Sequence, residues 1–277
     1  MKLGVGSWTF PWSIGVPGHP SPDTPLDAFD ILRLADKLGA GVVQFADNLP
    51  LHELEQTDLA DLRKEADKFG MTIEVGTRGI QIDLLIEYLK IAKILGAEIV
   101  RTLIFADSGK LTVAEIITLL NRVLPEYTKE NISLAIENYE LYTATEYREI
   151  MKSVVSDHIG ICLDTINNFG TLETPIQVVQ QLGEFVINLH YKDFAIGRIA
   201  TKMGYHIEGT PAGKGALNAR WLLETINAYG KCKSVIIEQW MPFLDSLEST
   251  LELELEWAQE GMTFLRDTMG DLGILER

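Results

Sequence analysis

The sequence predicts an α/β chain folded as a single (β/α)8 TIM barrel domain over residues 1–277, and three observations carry that expectation. The length of 277 residues suits a fold that commonly runs to about 250 residues without dividing. Eight short apolar or β-branched runs begin at Leu3, Gly41, Thr72, Ile99, Ser133, Ile159, Phe185 and Ser234, each followed by a stretch of helical periodicity. No Ser/Pro linker or low-complexity tract separates them.

Local chemistry marks the helices between these strands. Thr24 before Pro25 reads as a helix start, because proline at the first helical position loses nothing by lacking an N–H, and that helix should stop at Gly39. The pairs Thr112/Glu115, Thr143/Glu146 and Thr174/Gln177 have the spacing of capping boxes, in which two side chains satisfy backbone N–H groups reciprocally. Gly70, Gly96, Gly183 and Gly230 stand where helices must end before the next strand. Pro125 falls inside the segment from Val113 to Lys129 and should kink or end it. The longest connection, Asp193 to Leu217, follows the seventh strand and has the length of a functional or mobile loop.

Composition narrows the function. A net charge of -16 repels phosphate backbones and argues against a nucleic-acid partner, including an endonuclease role, while leaving room for a local basic pocket that captures a small anion. Two cysteines, Cys162 and Cys232, give no disulfide framework and suit a reducing, cytoplasmic setting. Met1 runs almost directly into the first strand without a secretory pattern, and no apolar stretch reaches the length of a membrane span.

In a parallel barrel all strand C-termini meet at one face, so residues far apart in sequence converge there. Four late strands end in a metal-ligand type: SLAIE at Glu137, GICLD at Asp164, INLH at His190 and VIIE at Glu238. Any one acid could be a solvated strand end. Three carboxylates gathered without a cation would suffer severe pKa shifts, and one divalent metal ion resolves the conflict. Three oxygen ligands and one imidazole favour Mn2+ or Mg2+, with Co2+ as a third candidate. Strand alternation puts Ala135 and Ser133 on the side of Glu137, and Cys162 and Gly160 on the side of Asp164. These small residues leave room for a polar site. Such an ion could polarise a carbonyl and stabilise a developing enediolate on a small carbohydrate-like substrate, with Glu137 and Glu238 exchanging the proton.

AIEN at Glu137, CLDT at Asp164, HYKDF at His190 and IIEQ at Glu238 resemble the xylose isomerase-like sugar isomerase/epimerase barrels along the whole chain. The H-x-K-D pattern of His190, Lys192 and Asp193 and the glycine-bearing GTPAGKGALN from Gly209 to Asn218 are the most specific part of the resemblance. It implies metal ligation by Glu137, Asp164, His190 and Glu238, with the two glutamates also moving protons. Asn167 stands where many epimerase members carry histidine three residues after the aspartate, which keeps a lyase reading open.

Further substrate contacts are expected from Lys192, Arg198, Asn167 and Arg101. Lys192 could neutralise an oxyanion, with a salt bridge to Asp193 or another rim acid as the alternative. Arg101, charged within an apolar strand, needs either the rim or a structural partner such as Glu74. His206 and Lys214 read more readily as exposed loop residues, and Trp8, Phe10 and Trp12 as core rather than a substrate wall. Asp47 and Asn48 read as turn residues. Trp240, Phe243 and the acidic last helix could serve a contact between copies of the chain, or equally core and solvent. The leading expectation is an isomerase or epimerase of a small sugar, keto-sugar or sugar acid. The alternative is a metal-dependent lyase, a decarboxylase or eliminating deglycosylase, acting on an oxidised sugar. A catalytically inactive binding subunit comes third, since fold does not fix function.

Overall fold

The computed structural model describes residues 1–106, 109–154 and 156–276. Strands β1 (Lys2–Gly6), β2 (Val42–Phe45), β3 (Thr72–Arg78), β4 (Ile99–Leu103), β5 (Ser133–Glu137), β6 (Ile159–Asp164) and β7 (Val186–Tyr191) each begin within one residue of an apolar run. The next two strands, β8 (Asp193–Arg198) and β9 (Tyr205–Thr210), form a separate antiparallel ribbon, and β10 (Ser234–Ile237) completes the barrel. The parallel order β1-β10-β7-β6-β5-β4-β3-β2 closes on itself. The segment after β7 is therefore largely a hairpin rather than an irregular loop.

Around the barrel lie α1 (Pro11–Ile14), α2 (Ala28–Lys37), α3 (Gln56–Phe69), α4 (Ile82–Leu95), α5 (Val113–Glu130), α6 (Ala144–Ser153), α7 (Pro175–Leu182), α8 (Ala219–Ala228) and α9 (Leu247–Asp271). Alternate strand residues Val43, Ile73, Val100, Leu134, Ile161, Leu189 and Val235 face these helices and join one continuous apolar core. The intervening residues fill the barrel itself, where Ile99, Ala135 and Cys162 make a small separate cluster. Among the described residues no helix is long and apolar enough to cross a membrane.

The three expected capping boxes form at Thr112, Thr143 and Thr174. Pro25 starts no helix: α2 begins three residues later, where Asp27 accepts from the Asp30 N–H and Asp30 answers at the Asp27 N–H. Gly70 and Gly96 end their helices in the left-handed conformation, whereas Gly183 stays right-handed and runs into a 3-10 turn. Nor does Pro125 end α5, which continues to Glu130. The helix forgoes one N–H there and is held by its apolar face, with Ile116, Leu120, Val123, Leu124 and Tyr127 all buried.

The fold also joins the H-x-K-D pattern to the glycine loop. The Asp193 carboxylate accepts the backbone N–H groups of Phe194 and Leu217 at 2.9 and 3.0 Å and of Gly213 and Gly215 at 2.9 and 3.2 Å. It thereby ties the end of the ribbon to the entry of α8. A Cβ at Gly215 would run into Asp193 Oδ1 and Thr210 Oγ1, so only glycine lets the loop close onto the carboxylate. Asp193→Ala would leave these donors without their acceptor and should lower stability by about 2–4 kcal/mol, with Asp193→Asn intermediate, as measured by urea unfolding. An unfolding midpoint unchanged in Asp193→Ala would remove this carboxylate from the role assigned to it.

Candidate metal centre and active site

Glu137 and Asp164 close β5 and β6, His190 lies one residue before the end of β7, and Glu238 follows β10. All four side chains are buried and meet at the C-terminal mouth of the barrel. His190 Nδ1 is 3.4 Å from Glu137 Oε2 and 3.2 Å from Glu238 Oε1. Ligand atoms of Asp164, His190 and Glu238 all lie within 4.8 Å of one another, and so do those of Glu137, Cys162 and His190. Two overlapping triads share the imidazole. Cys162 adds no thiolate, because burial, followed by the charge of Glu137, pushes its thiol up, and Sγ points at Asn188 Oδ1. The oxygen- and nitrogen-bearing set remains.

A column of polar side chains beneath the site decides which imidazole nitrogen is free. Glu74, buried in β3, accepts from Gln44 Nε2 at 2.9 Å, Asn188 Nδ2 at 3.0 Å and Ser234 Oγ at 2.5 Å. With its amide nitrogen turned to Glu74, Gln44 presents Oε1 to His190 Nε2 at 2.7 Å. Nε2 must then donate, and in the neutral ring the lone pair falls on Nδ1. The ring is neutral: burial, joined by the charges of Arg101 and Lys192, outweighs Glu137 and pushes its pKa down to about 4. A lone pair therefore faces two carboxylate oxygens. Nδ1 and Glu238 Oε1 have no hydrogen-bond partner among the described residues, an arrangement a cation would resolve.

Two cations already stand in the site. Arg101 lies between Gly76 and Ala135 on the neighbouring strands. Its Nε donates to Glu137 and its Nη1 to Asp47 Oδ1 at 2.8 Å, not to Glu74. Lys192 Nζ is 2.6 Å from Asp164 Oδ2 and 2.8 Å from Glu238 Oε2, so its partners are rim acids other than Asp193. Burial works against both charges, and the facing carboxylates more than offset it, so both residues hold their protons above the usual range. Burial raises Glu137 and Glu238 despite those cations. Among the described residues Asp47, Glu137, Asp164 and Glu238 form ion pairs with two permanent cations, Arg101 and Lys192, and two protons or one divalent cation would close that deficit. The donor set fits an ion that prefers oxygen and imidazole ligands.

Above this set opens a cleft of about 170 Å³, whose lining includes Trp8, Arg78, Tyr139, Glu140, Asn167 and Trp240. Asn167 donates to Glu137 Oε1 at 2.9 Å, and the Trp8 indole donates to Asp47 at 3.2 Å. A larger hollow of about 680 Å³ lies at the opposite end of the barrel among the strand starts. There Lys2 is bonded to Thr72 and Lys233 to Glu98. Arg198 is not in the cleft: it sits exposed on the ribbon, donating to the Lys202 carbonyl and stacked 4.6 Å from the Tyr205 ring. His206 and Lys214 pair with Glu208 and Glu260 on the surface. Phe10 and Trp12 are core, and Trp8 alone of that trio reaches the cleft.

Sequence reasoning passed over Gln44, whose signal was a lone amide in the apolar VVQF strand, and set Asp47 aside as a turn residue. It also missed Arg78, although TIEVGTR ends in a charge just as the four late strands do. In 15N NMR, His190 should carry its proton on Nε2 and remain neutral down to about pH 5, and Gln44→Met should leave the two tautomers mixed. A proton found on Nδ1 of the wild-type protein would refute the account of the column.

Residues 32–268 match the model of the xylose isomerase-like TIM barrel family. A curated relative, 3-oxo-isoapionate decarboxylase of Pectobacterium atrosepticum, is 33% identical over 267 residues, covering 96% of this chain and 95% of that protein. D-psicose 3-epimerase from Clostridium cellulolyticum H10, solved with D-tagatose, superposes with a TM-score of 0.73 at 14% identity, covering 97% of this chain and 99% of the other. A family protein from Mycobacterium smegmatis, solved in complex with magnesium, gives 0.68 at 17% identity over 95% and 97%. The last two show likeness of fold. With the family match spanning most of its length and the decarboxylase aligned nearly end to end, the chain belongs to the xylose isomerase-like TIM barrel family.

Proposed function

We propose that this chain is a divalent-metal-dependent decarboxylase of a 3-oxo sugar acid, whose cation Glu137, Asp164, His190 and Glu238 would hold at the strand ends with Lys192 beside it. The observation that carries the reading is the engagement of Glu137. One oxygen accepts from Arg101 and the other from Asn167, which fixes the carboxylate in a ligand's orientation beside a guanidinium whose charge opposes proton uptake from carbon. Isomerisation or epimerisation, the reading the sequence put first, asks for two such bases. Decarboxylation begins with no proton abstraction. The relative that acts on a 3-oxo acid, 33% identical along almost the whole chain, supports the same choice, and the magnesium complex of a family member supports the metal.

In the reaction, the bond between the carboxyl carbon and its neighbour breaks. The bonding electron pair becomes the double bond of an enolate, the ketone oxygen takes the negative charge, and carbon dioxide leaves. A proton must then reach the carbon. A divalent cation held by Glu137, Asp164, His190 and Glu238 would supply a Lewis acid toward the substrate carbonyl. Lys192 Nζ is ion-paired with Asp164 and Glu238, and its ammonium, kept charged by the raised pKa, would stabilise the developing oxyanion. Glu238 is the proton relay we assign, through Oε2 beside Lys192 Nζ at 2.8 Å, while Oε1, which lacks a partner among the described residues, is left to the cation. Trp8 and Trp240 flank the cleft and limit the water that would quench these charges.

Incubation with a 3-oxo sugar acid in deuterium oxide should release one carbon dioxide per substrate and leave deuterium in the product at the carbon that lost it. Chelation should abolish turnover, and Mn2+ or Mg2+ should restore it. Glu238→Gln and Lys192→Met should each lower kcat by about 100-fold or more. Deuterium washing into recovered substrate with no gas released would favour isomerisation and refute decarboxylation.

A further inference from the structure

The proposed substrate is an anion and the chain carries a net charge of -16, so capture needs a cation that no protein carboxylate already holds. Of the cations lining the cleft, Arg101 is taken by Asp47 and Glu137, and Lys192 by Asp164 and Glu238. Arg78, the last residue of β3, makes no ion pair among the described residues, not even with Glu140 on the same rim. Aromatic rings hold it instead: its Cζ is 4.4 Å from the centroid of Phe105 and 5.8 Å from that of Tyr139. Such stacking fixes the plane of a guanidinium while leaving its edge N–H groups free, the geometry that suits two parallel hydrogen bonds to a carboxylate. In the closed barrel β3 stands opposite β7, so Arg78 faces Lys192 across the mouth.

We propose that Arg78 is the substrate-carboxylate subsite, gripping the acid group while the ketone end of the same molecule lies toward Lys192 and Glu238. The inference rests on the decarboxylase reading for the identity of the substrate, and it adds a kinetic signature. Carbon–carbon cleavage drains charge out of the carboxylate, so a residue paired with it binds the ground state at least as well as the transition state. Loss of Arg78 should then appear in KM and not in kcat.

The experiment compares wild type, Arg78→Met and Arg78→Lys, each loaded with Mn2+. Calorimetry would use three probes: an aldonate lacking the ketone, the neutral sugar of the same length, and its phosphate ester. Steady-state kinetics would use the 3-oxo acid. Arg78→Met should weaken aldonate binding and raise KM by about 10- to 100-fold, leave kcat within about threefold, and leave the neutral sugar unaffected. Arg78→Lys should fall between, because it keeps the charge and loses the fork. Equal loss for acid and neutral sugar, a fall in kcat at constant KM, or unchanged aldonate affinity would each overturn the assignment. Tighter binding of the phosphate ester than of the aldonate would reassign the subsite to phosphate. Aldonate binding that depends on Arg78 in a protein releasing no carbon dioxide would sink the decarboxylase reading and leave the carboxylate subsite standing.

Discussion

Buried negative charge at the ends of three of four adjacent strands is the constraint around which this barrel is organised. Glu137, Asp164 and Glu238 cannot share one desolvated space as anions without partners. The rest of the site answers that demand: Arg101 against Glu137, Lys192 between Asp164 and Glu238, and an imidazole held neutral with its lone pair turned inward. These compensations still leave fewer positive than negative groups, which is why an oxygen-loving dication fits these donors. The same arithmetic limits the chemistry. A carboxylate tied to a guanidinium and an amide is held as a ligand, and a reaction that starts with bond cleavage does not ask it to act as a base.

The barrel was legible because its information is local. Strand starts, three capping boxes and most glycine stops follow from side chains within a few residues of each other, and the backbone obeys them. The misreadings were also local, with a better signal close by. Asp27 and Asp30 outcompete Thr24 and Pro25 as a helix start by supplying two acceptors where proline only avoids a loss. Pro125 is carried by the apolar face of α5, a tertiary effect that propensity does not register.

The site was legible only in part, for a different reason. Strand-terminal acids announce themselves in the sequence, and the family's motif points to them. Partner choice does not. Nothing in IVRTLI says that Arg101 reaches Asp47 and Glu137 instead of Glu74, and nothing in HYKDF says that Lys192 turns away from Asp193. Those outcomes depend on which strands are neighbours and on the register that sets Arg101 beside Gly76 and Ala135. Arg198 shows the opposite error, since a cation in a long connection was drawn toward the substrate although the connection folds into a ribbon and carries it outward.

The polar column under the site has a consequence for how the chain can change. Each amide in it is oriented by the group below, from Glu74 through Gln44 to His190, with Asn188 and Ser234 bracing the side. An exchange at the barrel floor that turned one amide over would pass upward and reverse the face shown by the imidazole, without touching the reaction chamber. Residues remote from the chemistry are thus bound to it by the direction of their hydrogen bonds. Divergence among related barrels has more freedom in the ribbon of β8 and β9, where no such chain of orientation runs.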